Sequence, residues 1–431
     1  MYFCRQITKN KDMLVKFSAQ NFGSIKDKQT LSFEADKSKH LEDYYVIESN
    51  GLRLLKLGLI YGSNASGKTT ILKALEFLRD LVVEPKIQKT ETLDFEPFLF
   101  DEETPKQNSV FEIEFLQNNV RYFYLVELNK NAIAKEELYI KNAHKSNVFK
   151  RDTDFDYELT SISFGNKINL DKLEKKSLET NTLWNNTVFG GFSKTNLKIN
   201  ELKDVVDWFN TYLNNYISPK TDLVVLFESK KLMDFLFKQD VVETIKKADF
   251  NISGISKLQF QFAQIFSKTN PYIRTKDYIE FEHNVKDTRY TLKYSDESQG
   301  TQKYWGLAGF LHLLINQSNI LSIDELESSL HPDLFQHFLL SFLVNSKNSQ
   351  LLATTHNREI LNNKDIFRND AIWITDKSNA DCATELYSLA DFDTSVIRDT
   401  SNIYNAYKIG KLGGVPNLGD YYIETEIENE K

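Results

Sequence analysis

The sequence predicts an α/β fold with a mixed sheet and a largely helical insertion, and three features of the 431-residue chain predict it. An apolar run, Leu57, Leu59, Ile60 and Tyr61, breaks into a glycine-rich loop and then into an amphipathic pattern, the order strand, loop, helix. Around residues 111–128 apolar residues alternate with polar ones, the period of an antiparallel sheet with one solvated face. From Ile320 to Ala353 two short apolar runs flank a helical stretch, the order strand, helix, strand.

In chain order, residues 1–12 show no periodicity and read as an extension, with either Met1 or Met13 as the true start. Residues 17–33, FSAQNFGSIKDKQTLSF, suggest two strands around a polar loop at Gly23–Gln29. The amphipathic pattern after the glycine loop carries Ile71, Leu72, Leu75, Leu78 and Val82 on one face, so a helix is expected over Thr70–Val83. Phe111, Ile113 and Phe115, a Gln117-Asn118-Asn119 turn, and Val120, Tyr122, Tyr124, Val126 and Leu128 then predict an antiparallel hairpin.

Residues 141–250 read as the insertion. Lys141–Asp152 is polar and basic, Ser161–Leu170 suggests a strand, and Leu202–Ile217 and Leu232–Ala248 suggest helices. The cluster Lys141, Lys145, Lys150 and Arg151 reads as a solvated face rather than a nucleic-acid grip. No heptad is sustained, which argues against a long coiled-coil arm. Beyond Ile252 come short strands at Tyr278–Phe281 and Thr291–Tyr294, then Glu297-Ser298-Gln299-Gly300-Thr301-Gln302 and a helix with Trp305, Leu307, Ala308, Leu311 and Leu314 on its apolar side. A strand Ile320–Ile323, a helix Leu334–Val344, a strand Gln350–Ala353 and strand-like runs at Ala371–Ile374 and Glu385–Leu389 complete the pattern. The expected organisation is therefore 13–140, an insertion at 141–250, and a second lobe with a tail at 251–431.

Bulk composition narrows the function. A net charge of −8 argues against a broad basic surface, though a local patch is allowed. The two cysteines, Cys4 and Cys382, cannot build a disulfide framework or a four-cysteine zinc site. No apolar run approaches the roughly 20 residues that cross a bilayer, and the first residues lack a secretory apolar centre, so a cytoplasmic protein without a membrane partner is expected.

The chemistry concentrates in Gly62-Ser63-Asn64-Ala65-Ser66-Gly67-Lys68-Thr69-Thr70. G-x-x-x-x-G-K-T is the P-loop: backbone N–H groups turn inward around phosphates at the positive end of a helix, Lys68 reaches the β- and γ-phosphates, and Thr69 offers a hydroxyl to Mg²⁺. A chance glycine turn does not account for the Lys-Thr pair standing between a strand and a helix. Ile320–Ile323 followed by Asp324-Glu325 reads as a Walker B strand, with Asp324 orienting Mg²⁺ and Glu325 polarising the attacking water. ATP and Mg²⁺ are the expected ligands.

The separation of Lys68 from Asp324, 256 positions (324 − 68), suits an ABC-type head with an insertion. Residues 17–24, GSNASGKT, ESQGTQ, IDELESSLHP and TTHN together resemble the ATPase heads of the SMC/RecF/OLD branch of ABC ATPases. Within that branch ESQGTQ and the tail residues Asn402–Tyr404, Gly410 and Gly413–Pro416 resemble stand-alone ATPases of bacterial phage-defence operons, the abortive-infection L type and the PARIS type.

The resemblance implies an ABC-type P-loop ATPase head that acts as a sensor or scaffold in phage defence. It implies Ser298, Gln299 and Gly300 as a signature that meets nucleotide held by a partner subunit, so the chain would work as a homodimer or higher homo-oligomer. His356 would be a switch histidine that senses γ-phosphate, and Gln107 is one candidate for a Q-loop residue. A separate effector, a nuclease, would be the other partner, with nucleic acid possible but not primary. The alternative is a RecF-like ATPase that closes on duplex DNA. Only 75 residues follow His356 (431 − 356), too few for the Toprim nuclease unit of OLD proteins, so Asp376, Asp381, Asp391 and Asp393 are not expected to form a nuclease site. The tail, Arg398–Asp420, is expected as a docking surface, with Gly413-Gly414 and Pro416 fixing a turn.

Overall fold

The computed structural model describes residues 11–141, 144–229, 232–248, 251–264, 272–378, 380–392 and 403–416. Among them, a five-stranded and a seven-stranded sheet share one hydrophobic core, beside a three-stranded ribbon and a short hairpin.

The five-stranded sheet runs in the order Ile320–Ile323, Gln350–Thr354, Leu57–Gly62, Ile372–Lys377, Thr384–Ser388. Its first four strands are parallel and the last is antiparallel. All six residues of Leu57–Gly62 are buried, as an apolar strand with neighbours on both edges and cover on both faces must be. This order determines the site. Strand Gln350–Thr354 lies between the P-loop strand and the strand that ends at Asp324, so its last residues emerge between the glycine loop and the aspartate.

The seven-stranded sheet is antiparallel throughout, in the order 159–164, 145–154, 133–141, 120–128, 109–117, 14–20, 29–32. Tyr122, Tyr124, Val126 and Leu128 bury the inner face of their strand, as the alternation predicts. Asn118 and Asn119 turn the hairpin with φ of 51° and 62°, a left-handed pair that asparagine tolerates. Phe115 stacks on Trp208 with ring centroids 4.1 Å apart, joining this sheet to the helix Asn200–Thr211.

Three sequence expectations change here. The basic stretch at 141–152 contains a strand, Lys145–Asp154, paired with Ile133–Lys141, and Leu159–Phe164 extends the same sheet. Its charges hid the alternation because they are answered locally: Lys141 lies 3.1 Å from Glu114, Lys150 lies 3.5 Å from Glu137, and Lys145 sits 3.9 Å over the Tyr139 ring. Arg151 is wholly buried and donates to the carbonyls of Ile133 (2.6 Å) and Trp184 (3.0 Å). The helix expected to reach Ile217 stops at Thr211, because residues 212–217 run beside the aspartate strand: Ile320 N donates to Tyr212 O (2.7 Å) and Ile217 N to Ser322 O (2.8 Å). The helix expected over 232–248 is two pieces, Met233–Leu236 and Gln239–Lys246.

The long helix Gln299–Asn316 is capped by Ser298, whose Oγ accepts from Thr301 N at 3.1 Å. Among the described residues no helix is long and apolar enough to cross a membrane.

Candidate nucleotide-binding site

The glycine loop is held by its ends. At Gly67, φ is +104° and a Cβ would stand 2.0 Å from Thr384 Oγ1, so both backbone and space require glycine. Gly62 has no room either: a Cβ there would meet Thr375 Oγ1 at 2.3 Å and Ser66 Oγ at 2.4 Å. The helix then begins at Lys68, and its first N–H groups have no intrahelical acceptor, which leaves a partial positive charge at the loop.

Lys68 is buried, and its Nζ donates to the carbonyls of Gly62 and Ser63, each at 3.0 Å. Burial lowers its pKa, while Asp324, Glu325 and Glu327 pull it back up. Thr69 Oγ1 donates to Asp324 Oδ2 at 2.9 Å across 255 positions of sequence. The other carboxylate oxygen, Oδ1, accepts from Thr354 Oγ1 at 2.5 Å, and Thr354 Oγ1 also accepts from Glu325 N at 2.8 Å. The intervening strand thus sets the rotamer of Asp324 and the start of the turn that carries Glu325, which adopts φ 46°. A hydroxyl and a carboxylate oxygen converging in this way are hard donors of the kind Mg²⁺ takes, so the residues present fit that ion.

His356 leaves the end of the same strand. Its backbone N–H donates to Glu327 Oε1 at 2.5 Å, and burial together with the Lys68 cation lowers the imidazole pKa, partly offset by Glu327, Glu325 and Asp324. The ring is therefore biased toward its neutral form. Ser298, Gln299 and Gly300 stand at the exposed start of their helix, and the hydrogen bonds of Ser298 Oγ stay within its own turn, to Thr301 N and Thr301 Oγ1. Gln107 is exposed, and its carbonyl accepts from Asn21 Nδ2 at 2.9 Å.

The structure adds residues that sequence reasoning missed. Thr384 Oγ1 lies 3.0 Å from Ser66 O and 2.7 Å from Ser24 Oγ, which in turn donates to Thr70 Oγ1 at 3.0 Å. Thr375 Oγ1 lies 2.7 Å from Ser66 Oγ. Two C-terminal strands therefore support the phosphate loop from behind. No local signal marked these threonines, since each acts through tertiary contact alone.

The tail has an inward face. Ile403, Tyr407 and Leu412 are buried in the main core, and the Tyr407 ring packs edge-on against Tyr61 at 5.8 Å. Tyr407 OH donates to Gly414 O at 2.9 Å, and a Cβ at Gly414 would come within 3.4 Å of Gly62 Cα. The buried residues of 403–416 thus brace the P-loop strand from within, while Ile409 on the same segment is 75% exposed; Arg398, Asn402 and Asp420 lie outside the described residues.

Asp381 pairs with Lys26 at 3.2 Å, Asp391 accepts from Ser388 N at 2.8 Å, and Asp376 accepts from Lys377 N at 2.9 Å. Each has a local structural partner, and Asp393 lies outside the described residues. Beside Thr70 a cavity of about 680 Å³ opens along the P-loop helix, lined by Phe22, Phe77 and Phe95 among others.

Residues 59–362 match a family model described as "AAA domain, putative AbiEii toxin, Type IV TA system". No curated protein matches the chain. Among solved structures, the SMC head domain from Thermotoga maritima is 15% identical with a TM-score of 0.41, covering 87% of this chain and 98% of that one. An SmcHead bound to the C-winged helix domain of ScpA is 11% identical with a TM-score of 0.44, covering 87% and 97%. The Smc head domain with an extended coiled coil, bound to the C-terminal domain of ScpA derived from Pyrococcus furiosus, is 11% identical with a TM-score of 0.40, covering 93% and 99%.

Proposed function

The chain belongs to this AAA-domain family, and on that premise we propose that it is a P-loop ATPase of ABC type that hydrolyses ATP at a site built on Lys68, Thr69, Asp324, Glu325 and His356, and uses the nucleotide state to control a separate effector in phage defence. The observation that carries the site is the 2.9 Å contact between Thr69 and Asp324, backed by Thr354. Two motifs 255 positions apart are brought together with the donor set that a magnesium nucleotide requires.

Lys68 exchanges its two carbonyl acceptors for the β- and γ-phosphates, and residues 62–70 cradle the phosphates with backbone N–H groups. Thr69 and Asp324 would hold Mg²⁺, which would supply positive charge against the phosphates. Glu325 accepts the proton of the attacking water, and the neutral His356 ring donates a hydrogen bond toward the γ-phosphate. The cavity beside Thr70 has the position and the aromatic floor for the nucleoside end.

Ser298, Gln299 and Gly300 act on nucleotide held by a second copy of the chain: they stand at a helix N-terminus, where an anion is favoured, with Ser298 and Gln299 exposed and Gly300 half-buried. Nucleotide then joins two copies, and hydrolysis loosens them, a two-state element through which an effector, a nuclease encoded separately, is held or released. The internal pairing of Lys141, Lys145, Lys150 and Arg151 favours this reading over closure on duplex DNA.

The test is complementation. Ser298→Arg should bind ATP yet fail to hydrolyse it, Lys68→Ala should bind none, and a mixture of the two should recover partial turnover from one mixed site. Full activity of Ser298→Arg alone, or no gain although mixed dimers form, would overturn the shared site.

A further inference from the structure

The helix Gln299–Asn316 carries a single Lys, Arg, Asp or Glu side chain, Lys303, and that side chain is buried: it is 9% exposed, and its Nζ has no hydrogen-bond partner among the described residues. A buried ammonium costs several kcal/mol unless a partner compensates it, so a lysine kept there needs a reason. Burial lowers its pKa, and the charges that oppose this are Glu325 and Glu327.

Glu327 presents the complement. One carboxylate oxygen, Oε1, accepts from His356 N, while the other, Oε2, is buried with no hydrogen-bond partner among the described residues. The two elements touch, since a Cβ at Gly300 would stand 2.9 Å from Ser329 O, two residues beyond Glu327. An orphaned cation and an orphaned carboxylate oxygen therefore lie on contacting elements, the carboxylate on the same turn as Glu325.

Nucleotide changes the balance at this point. Asp324, Glu325 and Glu327 all act on Lys68 in the structure described here. When phosphates take Lys68, those carboxylates lose its compensation and face added negative charge; Lys303 is the buried cation placed to answer Glu327.

We propose that Lys303 is a positioning residue for hydrolysis, whose ammonium pairs with Glu327 in the nucleotide-bound state and so ties the helix capped by Ser298 to the turns carrying Glu325 and His356. This rests on the ATPase reading above. It adds a link in which nucleotide occupancy sets the register of the Ser298 helix against the hydrolytic turn.

Lys303→Met keeps the length of the side chain and removes the charge. Expected are a melting temperature at or above that of the unaltered chain, ATP affinity within about threefold, and kcat reduced by about tenfold or more with KM little changed. Glu327→Gln should lower kcat similarly, and the double variant should lose no more than the worse single variant, because both act through one contact. Unaltered kcat in Lys303→Met, or a double variant whose loss is the product of the two single losses, would overturn the pairing. A fall in melting temperature in Lys303→Met would likewise show a structural role. An unaltered chain without turnover would instead remove the ATPase reading, and this proposal with it.

Discussion

Replacing Thr384 with valine removes one hydroxyl at nearly constant volume, at a side chain that is 1% exposed and stands behind the phosphate loop. That hydroxyl lies 3.0 Å from Ser66 O and 2.7 Å from Ser24 Oγ. Its loss leaves a buried carbonyl with one partner fewer and breaks the chain of hydroxyls that continues to Thr70. Leaving a buried polar group unsatisfied costs about 1–3 kcal/mol. Part of that appears as global stability. The part that frees the loop appears as nucleotide affinity, where each share of about 1.4 kcal/mol weakens binding about tenfold. The expected result is a lower melting temperature together with ATP affinity weakened by about three- to tenfold, read by thermal unfolding and by titration with a fluorescent ATP analogue. Thr384→Ser, which keeps the hydroxyl, should stay close to the unaltered chain. Equal affinities for Thr384→Val and the unaltered chain would refute the claim that the C-terminal strands set the loop.

Gly414→Ala should lower both melting temperature and ATP affinity, because φ is +65° there and the new Cβ would stand 2.6 Å from Ile374 Cγ2; an unchanged melting curve would count against the tail as a brace. Arg151→Met strips a buried cation from the neighbourhood of the buried Glu136 and takes one donor each from the carbonyls of Ile133 and Trp184, which keep Thr153 Oγ1 and Ile133 N, so a loss of about 1–3 kcal/mol is expected in denaturant unfolding, with salt-dependent DNA binding unaltered. His356 has its pKa lowered on folding, so the unfolded chain binds its proton first as pH falls below about 6.5. Stability should therefore fall with pH from that point downward, and the nucleotide-free His356→Gln variant should show a shallower fall, with His312, shifted in the same direction, keeping part of the slope. Identical slopes in the two chains would show that His356 is not held neutral.

How much of this was legible in the sequence depends on how local each determinant is. The P-loop was readable because strand, loop and helix signals follow one another without a break from Leu57 to Val82, and Asp324 because a buried parallel strand ends there. The order of the central sheet was not readable, since it is set by which strand fits between two others; that order is what gives Thr354 its contacts with Asp324 and Glu325. Thr375, Thr384, Tyr407 and Gly414 reach the loop from more than 300 positions away, with no spacing rule to flag them. Lys145–Asp154 was obscured by lysines that pack across their neighbours, so charge masked a strand period. Residues 212–217 continued an apolar pattern consistent with helix, but the exposed edge of Ile320–Ile323 offered backbone partners and the chain straightened to take them.

The central claim is that ATP is hydrolysed at the site where Glu325 follows Asp324, and the most direct measurement is a single-turnover experiment on Glu325→Gln with radiolabelled ATP and Mg²⁺. The substitution keeps the shape of the side chain and removes the base. The variant should bind ATP at about the affinity of the unaltered chain and hold it unhydrolysed long after that chain has released phosphate. Phosphate release by Glu325→Gln at the unaltered rate would contradict the assignment.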